Sequence, residues 1–384
     1  MEFRFTDEQR MIFDSAADVL ASVSDSSAVR HAMRNDPFHD EAVWRRLCQE
    51  LYWQALLIPE ECGGLGLGFV ETVGVLERMG QRLFVSPFFS SSVMATSLLR
   101  LLPQTDRQAS LFNDLLEGQC FSVAHTDAVA SWSQVSASAV ADGQAFRLRG
   151  EYRFVSFGHV AQQLLVVATI EDTQRLGVFV VDAQAQGVTV VRTPTLDQTR
   201  PMASVSLQDV LIAETDCLSL DAGEALIHWL DLIRICLAAD QVGGAQESLD
   251  ISVAYVGERV QFGRTIASFQ AIKHKAADVM VKVEAARSLL YYAACVADEF
   301  VQGFSSADEL LEAAAMVNAS ASEAYFFAAG SGIQMHGGVG ITEEYDIQLY
   351  FKRARSTERY LGSPEASREK LAGQLLDSRA GVGG

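Results

Sequence analysis

The chain has 384 residues, of which 49% are hydrophobic and 21% charged, and its formal net charge is −19 with an isoelectric point near 4.8. It is therefore long and apolar enough to form two or three packed units. So acidic a chain opposes binding to phosphate backbones and to anionic lipid, and we expect neither nucleic acid nor a membrane as a partner.

The cysteines and the first residues indicate the cellular compartment. Six cysteines are widely scattered, with no CxxC pair and no histidine at zinc-ligand spacing, so we expect reduced thiols and no metal site. The N-terminus MEFRFTDEQRMIF lacks the apolar core of a signal peptide, and no later run approaches the ~20 apolar residues of a membrane span. These features predict a cytoplasmic protein.

The first region, residues 1–117, reads as helical. Apolar residues recur every three or four positions from Thr6 onward, and Thr6 or Asp7 is a suitable N-cap for the first helix. The stretch IPEECGGLGLG (58–68) interrupts this pattern with Pro59 and four glycines. We expect a loop there, in which the backbone can approach another segment or a ligand closely.

The middle region, residues 118–215, has the composition of a β domain. Its segments FSVAH, FRLRGEYRFVSF, QQLLVVATI, LGVFVVDA and GVTVVRT are short, rich in β-branched and aromatic residues, and separated by turn residues. From 216 to 384 the helical period returns, in segments 222–256, 265–302, 306–330 and 343–378. The predicted fold class is therefore α+β and multidomain, in the order helices, sheet, helices.

Two glycine-containing stretches in the last region are the most informative motifs. In GERVQFGRTIASFQAIKHKAADV (257–279), a helix is expected to end near Gln261 or Phe262, and in IQMHGGVGITEEY (333–345) three glycines interrupt two helices. Each motif alone is weakly specific. Together, in this order and architecture, they resemble the acyl-CoA dehydrogenase family over essentially the whole chain.

The resemblance implies a fold and a cofactor. Family members have an N-terminal helical domain, a middle β-barrel-like domain and a C-terminal four-helix bundle, and they bind FAD at a subunit interface. An RxxFG and a QxxGGxG segment clamp the pyrophosphate and adenine end of the FAD whose flavin lies in the neighbouring subunit. By resemblance, these roles fall on Arg259, Phe262, Gln334, Gly337 and Gly338.

The half of a family FAD site that comes from the flavin's own subunit has changed. The family's TEPGAGSD-like loop corresponds to AHTDAVASW (124–132), which contains no Pro-Gly-Ala-Gly turn. The family's Trp-Ile-Thr/Ser segment corresponds to RGEYRFVSFG (149–158), which keeps Ser156 and has Phe154 in place of tryptophan. We expect the first departure to be severe and the second to be mild.

The family's catalytic carboxylate is also missing. Aligned on the family pattern, RSTERYLGSP (355–364) has Leu361 where most members have the glutamate that removes the α-proton of the acyl-CoA. Some members carry the base on an earlier helix, and there LDLIR (230–234) has Ile233. Neither side chain has a lone pair, so neither can act as a general base.

Other polar residues leave alternatives open. Nearby carboxylates at Glu343, Glu344, Glu358 or Glu365 offer a relocated base, although exposed glutamate is more often a solvated surface charge. Histidines also lie beside the motifs, and of these His336, inside the glycine motif, is best placed to contact a cofactor. Three further polar residues lie in or beside the two flavin segments and could have a chemical role, namely His125, Asp127 and His159.

Three features favour the interpretation that this chain is one subunit of a heteromeric enzyme. The clamp for a neighbour's FAD is intact, the flavin loop has changed, and both positions of the catalytic base carry hydrocarbon side chains. The chain resembles the base-lacking subunit of the α2β2 acyl-CoA dehydrogenases of bacterial steroid side-chain degradation, also in FVSPFFSSSVMATSLLRLL (84–102). This implies FAD, an acyl-CoA substrate, a paralogous partner bearing the glutamate, and electron-transfer flavoprotein as acceptor. The alternatives are a homotetrameric dehydrogenase with a relocated carboxylate and a pseudoenzyme that binds acyl-CoA or a partner.

Overall fold

The computed structural model of the chain describes residues 5–126, 132 and 134–380. The order of elements is helices, then a sheet, then long helices, which confirms the predicted fold class. Contacts group the chain into two compact units. One unit comprises Met1–Arg30, Phe69–Phe84 and Arg234–Gly384, and the other comprises His31–Gly68 and Val85–Ile233. The domain boundaries at 117 and 215 remain a prediction.

The N-terminal region is helical as predicted. Thr6 begins the first helix in a capping box, since its hydroxyl accepts from the Gln9 N–H at 3.1 Å and its own N–H donates to the Gln9 side chain at 3.0 Å. The helices are α1 (Asp7–Val23), α2 (Ser26–Arg34), α3 (Glu41–Gln49), α4 (Phe69–Gln81), α5 (Thr96–Leu101) and α6 (Asp106–Leu116), with a π-helix at Phe89–Ala95.

The glycine-rich loop closes on itself. The Gly66 N–H donates to the Ile58 carbonyl at 2.9 Å, and the Leu67 N–H donates to the Leu56 carbonyl at 2.9 Å. A Cβ at Gly64 would lie 2.1 Å from the Ile58 oxygen, so only glycine fits there. The close approach expected from the sequence is therefore made to the loop's own backbone.

An eight-stranded mixed sheet forms the middle of the chain. Its order is β6-β7-β3-β2-β4-β5-β8, and β1 pairs in parallel with β4. Leu164, Val166, Phe179 and Val205 are fully or almost fully buried in its core, where the Tyr152 hydroxyl donates to the Val167 carbonyl at 2.9 Å. The strands are β1 (Phe121–Ala124), β2 (Ser138–Asp142), β3 (Ala145–Ser156), β4 (Gln163–Ile170), β5 (Leu176–Asp182), β6 (Val188–Thr193), β7 (Met202–Ala213) and β8 (Cys217–Ser219).

The C-terminal region differs from its prediction at two helix ends. The helix of the first motif ends at Glu258, and a β-hairpin follows where a short break was expected. The helix predicted over 343–378 is divided at Leu361–Ser363, where Gly362 has φ +112°. The elements are α7 (Gly223–Glu258), β9 (Val260–Gln261), β10 (Arg264–Thr265), α8 (Gln270–Val301), α9 (Ala307–His336), α10 (Ile347–Tyr360) and α11 (Pro364–Ala380).

Helices α4 and α7 cross backbone against backbone in the unit that contains the C-terminus. A Cβ at Gly80 would lie 2.1 Å from the Asp240 carbonyl oxygen, and one at Gly243 would lie 1.9 Å from the Glu77 carbonyl oxygen. Asp240 also receives a hydrogen bond from Arg353 of α10 at 2.8 Å, and both side chains are almost fully buried. The core of this unit thus combines close helix packing with a buried ion pair.

None of the helices described over these residues is long and apolar enough to cross a membrane. All six cysteines lie among the described residues and are free thiols. Cys48, Cys120 and Cys236 are buried, and the other three are half-buried.

Candidate functional site

The first motif forms an exposed hairpin between α7 and α8. Strands β9 and β10 pair through Gln261 and Arg264, and the two turn residues, Phe262 and Gly263, have φ +55° and +75°. Positive φ at both positions is the geometry of a two-residue type I′ turn. Phe262 is 91% exposed, so this turn presents an aromatic ring at the surface.

Aromatic contacts hold the hairpin on the start of α8. The Phe262 ring meets the Phe269 ring edge to face at 6.2 Å between centroids, and the Arg264 guanidinium lies 4.1 Å from the Phe269 centroid. Arg259 follows the end of α7 and is exposed. The motif therefore presents Arg259 and Phe262 at the surface of the unit.

The second motif forms an open glycine turn after α9. Gly337 ends the helix with φ +65°, which favours glycine. A Cβ at Gly337 or Gly338 would find no heavy atom within 4 Å, so the backbone there can be approached closely. Gln334, one turn earlier, is also exposed.

A ring stack joins the two motifs. Tyr255, four residues before Arg259, stacks on His336, the residue before Gly337, with centroids 4.3 Å apart and planes 17° apart. Tyr345 meets both rings edge to face. The stack thus brings the C-terminal ends of α7 and α9 together, although about 80 residues separate the two motifs in the sequence.

His336 is a positioning residue in this arrangement. Its Nδ1 lies 2.8 Å from the Gly332 carbonyl, which requires an N–H at Nδ1. Burial lowers the pKa of His336, so the ring is neutral at pH 7 and the positive charge between the motifs comes from arginine. A planar guanidinium at Arg259 and open amides at the glycine turn are each suited to a dinucleotide pyrophosphate, and the residues present therefore fit that end of FAD.

His125, in the changed flavin loop, belongs to a buried aromatic cluster. Its ring stacks on Trp132 at 5.2 Å and lies 5.8 Å from Trp229, whose indole N–H donates to the Met94 carbonyl at 2.8 Å. Burial lowers the pKa of His125 to about 4. The loop's residues 127–131, including Asp127, lie outside the described residues. No local sequence signal indicated the part played by Trp229, because it lies about 100 residues further along the chain.

The second flavin segment keeps an aromatic face but buries its hydroxyl. Phe154 is 37% exposed and has φ +54°, at the register shift between β3 and β7. Ser156 is 2% exposed, and its hydroxyl has no hydrogen-bond partner among the described residues. His159, just beyond, has its Nε2 3.0 Å from the Pro37 carbonyl, which is a structural contact.

The two positions at which family members carry the catalytic base have fully buried hydrocarbon side chains here. Leu361 and Ile233 are each 0% exposed. Leu361 ends α10, and its carbonyl oxygen accepts a hydrogen bond from Arg234 Nε at 2.8 Å. Neither site offers a proton acceptor on its side chain.

The neighbouring carboxylates are engaged in local contacts. Glu358 forms an ion pair with Arg355 one turn before it. Hydrogen bonds from the hydroxyls of Ser363 and Thr342 lower the pKa of Glu365 and Glu344, respectively, which makes these carboxylates weaker bases. Glu343 is exposed. These contacts do not favour a relocated base.

Over residues 5–126, 132 and 134–380, no cluster of histidine, cysteine or acidic side chains is arranged to hold a metal ion.

The order of helices, sheet and helices, together with the family comparison that follows, defines an oxidoreductase that acts on CH–CH bonds. Family models named acyl-CoA dehydrogenase, N-terminal domain and C-terminal domain match residues 6–115 and 223–376. The chain belongs to the acyl-CoA dehydrogenase family.

Known proteins similar to this chain agree with that assignment. The acyl-CoA dehydrogenase IpdE2 of Mycobacterium tuberculosis is 34% identical over 97% of this chain and 98% of its own. The structure of a variant of the Tcur3481-Tcur3483 steroid ACAD matches with a TM-score of 0.86 and 28% identity, over 97% of this chain and 99% of that one. The ChsE4-ChsE5 complex from Mycobacterium tuberculosis, at 24% identity, shares the fold, with a TM-score of 0.88 over 98% and 99% of the two chains.

Proposed function

We propose that this chain is the base-lacking subunit of a heteromeric acyl-CoA dehydrogenase. In this assembly, Arg259, Phe262, Gln334, Gly337 and Gly338 complete the FAD site of a paralogous subunit that carries the catalytic glutamate. FAD supplies the hydride acceptor for α,β-dehydrogenation of the acyl-CoA. The residues of this chain bind and orient the pyrophosphate and adenine end.

The observation that carries the proposal is a contrast between the two halves of the site. Leu361 and Ile233 are both fully buried hydrocarbon, while Arg259 and the two glycines of the clamp remain exposed and open. A homomeric assembly would contain clamps but no base. A partner subunit could supply the base and the flavin loop, and the clamp of this chain would then bind the partner's FAD. In such an assembly this chain needs no catalytic carboxylate of its own.

The similar proteins support a proposal for the substrate. We assign a steroid-CoA substrate, because the Tcur3481-Tcur3483 steroid ACAD is similar over nearly the whole chain. We also propose electron-transfer flavoprotein as the acceptor, as the family resemblance implies, and the cytoplasm as the location, as the N-terminal sequence predicts. The test of the substrate is acyl-CoA-dependent reduction of an artificial acceptor by the co-purified complex, with steroid-CoA and straight-chain acyl-CoA thioesters compared.

The chain expressed alone is expected to retain little or no FAD. Each interface between two copies would have a clamp but lack the flavin loop's glycine turn, so only half of the binding groups would be present. Flavin absorbance of the purified chain measures this, and the complex with its base-bearing partner is the control. Near-stoichiometric FAD in a homotetramer would contradict the heteromeric assembly.

Arg259→Ala is expected to weaken FAD retention by the complex. Loss of a charge-assisted pyrophosphate contact costs about 1.5–3 kcal/mol, which raises the dissociation constant roughly 10- to 150-fold. Arg175→Ala is the control, because it removes an exposed arginine that pairs with Asp221 outside both motifs. FAD retention is measured by equilibrium dialysis. Equal retention by the Arg259 variant and the parent complex would show that the clamp lies elsewhere.

A further inference from the structure

His336 uses one ring nitrogen within the protein and leaves the other for a ligand. Its Nδ1–H donates to the Gly332 carbonyl of the same helix at 2.8 Å. Because burial lowers the pKa of His336, the ring is neutral at pH 7 and Nε2 has a lone pair and no proton. Nε2 makes no hydrogen bond within the part of the chain that the structure describes, and protein atoms do not enclose it. His336 therefore offers a hydrogen-bond acceptor to a ligand.

The imidazole ring is held in one orientation. Tyr255 of α7 stacks on it at 4.3 Å between centroids, and Tyr345, from the segment before α10, meets it edge to face at 5.9 Å. The hydrogen bond to Gly332 fixes the ring from within α9. An acceptor that is fixed before the ligand arrives loses little conformational entropy on binding, which favours selective recognition.

The charge around His336 indicates which part of a dinucleotide it would contact. Phosphate oxygens and a neutral Nε2 are both acceptors, so they repel each other. His336 also lies in the last turn of α9, where the helix macrodipole is negative. Arg259, with its planar guanidinium, is the group of the clamp that suits the phosphates. The ligand group that suits His336 is therefore an N–H or O–H donor.

An adenine ring carries such a donor. Its 6-amino group donates hydrogen bonds, whereas the 6-oxo group of hypoxanthine or guanine accepts them. A fixed acceptor attracts the first group and repels the second. Tyr255 and Tyr345 also place aromatic surface around the imidazole, and Tyr345 is 36% exposed, so the surroundings suit a planar base.

We propose that His336 Nε2 accepts a hydrogen bond from the 6-amino group of the adenine ring of the bound dinucleotide and so selects adenine over a 6-oxopurine. The inference rests on the proposed function, because that function brings the adenine end of FAD to this chain. His336 thus recognises the base, while Arg259 binds the pyrophosphate.

The experiment uses two variants that separate the ring from the acceptor. His336→Phe keeps an aromatic ring to stack on Tyr255 and removes the acceptor. His336→Gln loses the ring and keeps an acceptor, the amide oxygen, at a similar distance from the backbone. Each chain is combined with the base-bearing subunit and freed of flavin, and circular dichroism checks its fold. Equilibrium dialysis then gives the dissociation constants of FAD and of flavin hypoxanthine dinucleotide, in which an oxo group replaces the 6-amino group.

The parent complex is expected to bind FAD at least about tenfold more tightly than the hypoxanthine analogue, because the analogue sets an acceptor against an acceptor. His336→Phe is expected to bind both dinucleotides about equally, and His336→Gln to keep most of the preference. A purely structural role would weaken both dinucleotides by one factor and leave their ratio unchanged. An unchanged ratio in His336→Phe, or a parent complex without preference, would overturn the inference.

Arg259→Ala distinguishes the failure of this inference from the failure of the proposed function. It removes a phosphate contact, so it is expected to weaken both dinucleotides equally and to keep their ratio. If Arg259→Ala weakens both while His336→Phe leaves the ratio unchanged, the proposed function stands and the inference is wrong. If Arg259→Ala changes neither dissociation constant, the proposed clamp fails, and the inference fails with it.

Discussion

Leu361→Glu is expected to lower the stability of the isolated chain at neutral pH without giving it dehydrogenase activity. Leu361 is fully buried, so a carboxylate there loses its hydration. Burial raises a carboxyl pKa, and a shift of two to three units corresponds to about 3–4 kcal/mol of lost stability when the group is ionised.

The pH dependence of this loss has a definite sign. An acid whose pKa is raised in the folded state binds protons more tightly when folded, so the loss of stability grows as the pH rises from the unfolded-state pKa of about 4.3 towards the raised folded-state pKa, and it is complete only above the latter. Leu361→Gln is the matched control, because it removes the same hydrocarbon and adds no ionisable group. The two variants are therefore expected to differ in urea denaturation at pH 7 and to converge near about pH 4.

Activity is expected to stay absent because the base is not the only missing group. A general base acts only when the acyl chain is held within hydrogen-bond reach, and the loop at 124–132 has lost the turn that orients substrate and flavin in the family. The assay is acyl-CoA-dependent reduction of an artificial electron acceptor, with added FAD. Turnover above that of the parent chain would mean that a complete flavin site survives and that the assembly is homomeric.

Arg353→Ala is expected to destabilise the chain by about 3–5 kcal/mol, because it leaves a charged partner in a buried site. Arg353 and Asp240 are 2% and 6% exposed at the side chain, and their hydrogen bond of 2.8 Å joins α10 to α7. Asp240 lies at the crossing of α7 with α4, where no side chain separates the two backbones. Loss of the arginine therefore affects the most closely packed part of this unit.

The matched control is the double variant Arg353→Met/Asp240→Leu. Replacement of both partners of a buried pair by apolar residues is often nearly neutral, so the double variant is expected to be more stable than the single one. Chemical denaturation of all three chains measures the difference. A single variant as stable as the parent would mean that water reaches Asp240 and that the pair is not buried in solution.

The order of elements was predictable because hydrophobic periodicity is a local signal. The capping box at Thr6 and the change from helical to strand composition near residue 118 both lie in short stretches of sequence. Strand β7 was not singled out, although its twelve residues lie between β6 and β3 in the sheet. Its serines and Gln208 gave it a weaker strand composition than its neighbours.

The sequence motifs name the residues of the candidate site, whose binding of FAD stays a prediction, but they do not indicate how these residues pack together. The motifs identify Arg259 and Gly337 by type and spacing, whereas the stack of Tyr255 on His336 that joins them depends on how α7 and α9 pack. The ends of helices α7 and α10 likewise depend on single residues. Gly263 predicted a break but not a hairpin, and Gly362 was not recognised as the point where α10 ends. Such features depend on long-range packing or on one dihedral angle, which periodicity does not report.

The hairpin tip at Phe262 also bears on how selection has acted on this chain. Type I′ turns favour asparagine or glycine, and a bulky residue at positive φ is energetically unfavourable. A sequence optimised for folding alone would replace this phenylalanine, which gains little burial in its own chain because it is 91% exposed. A strained, exposed phenylalanine is the kind of residue that a functional surface retains at a cost in stability, and it agrees with the role proposed for Phe262. If Phe262 has that role, replacing it with glycine is expected to stabilise the isolated chain and to weaken the assembly.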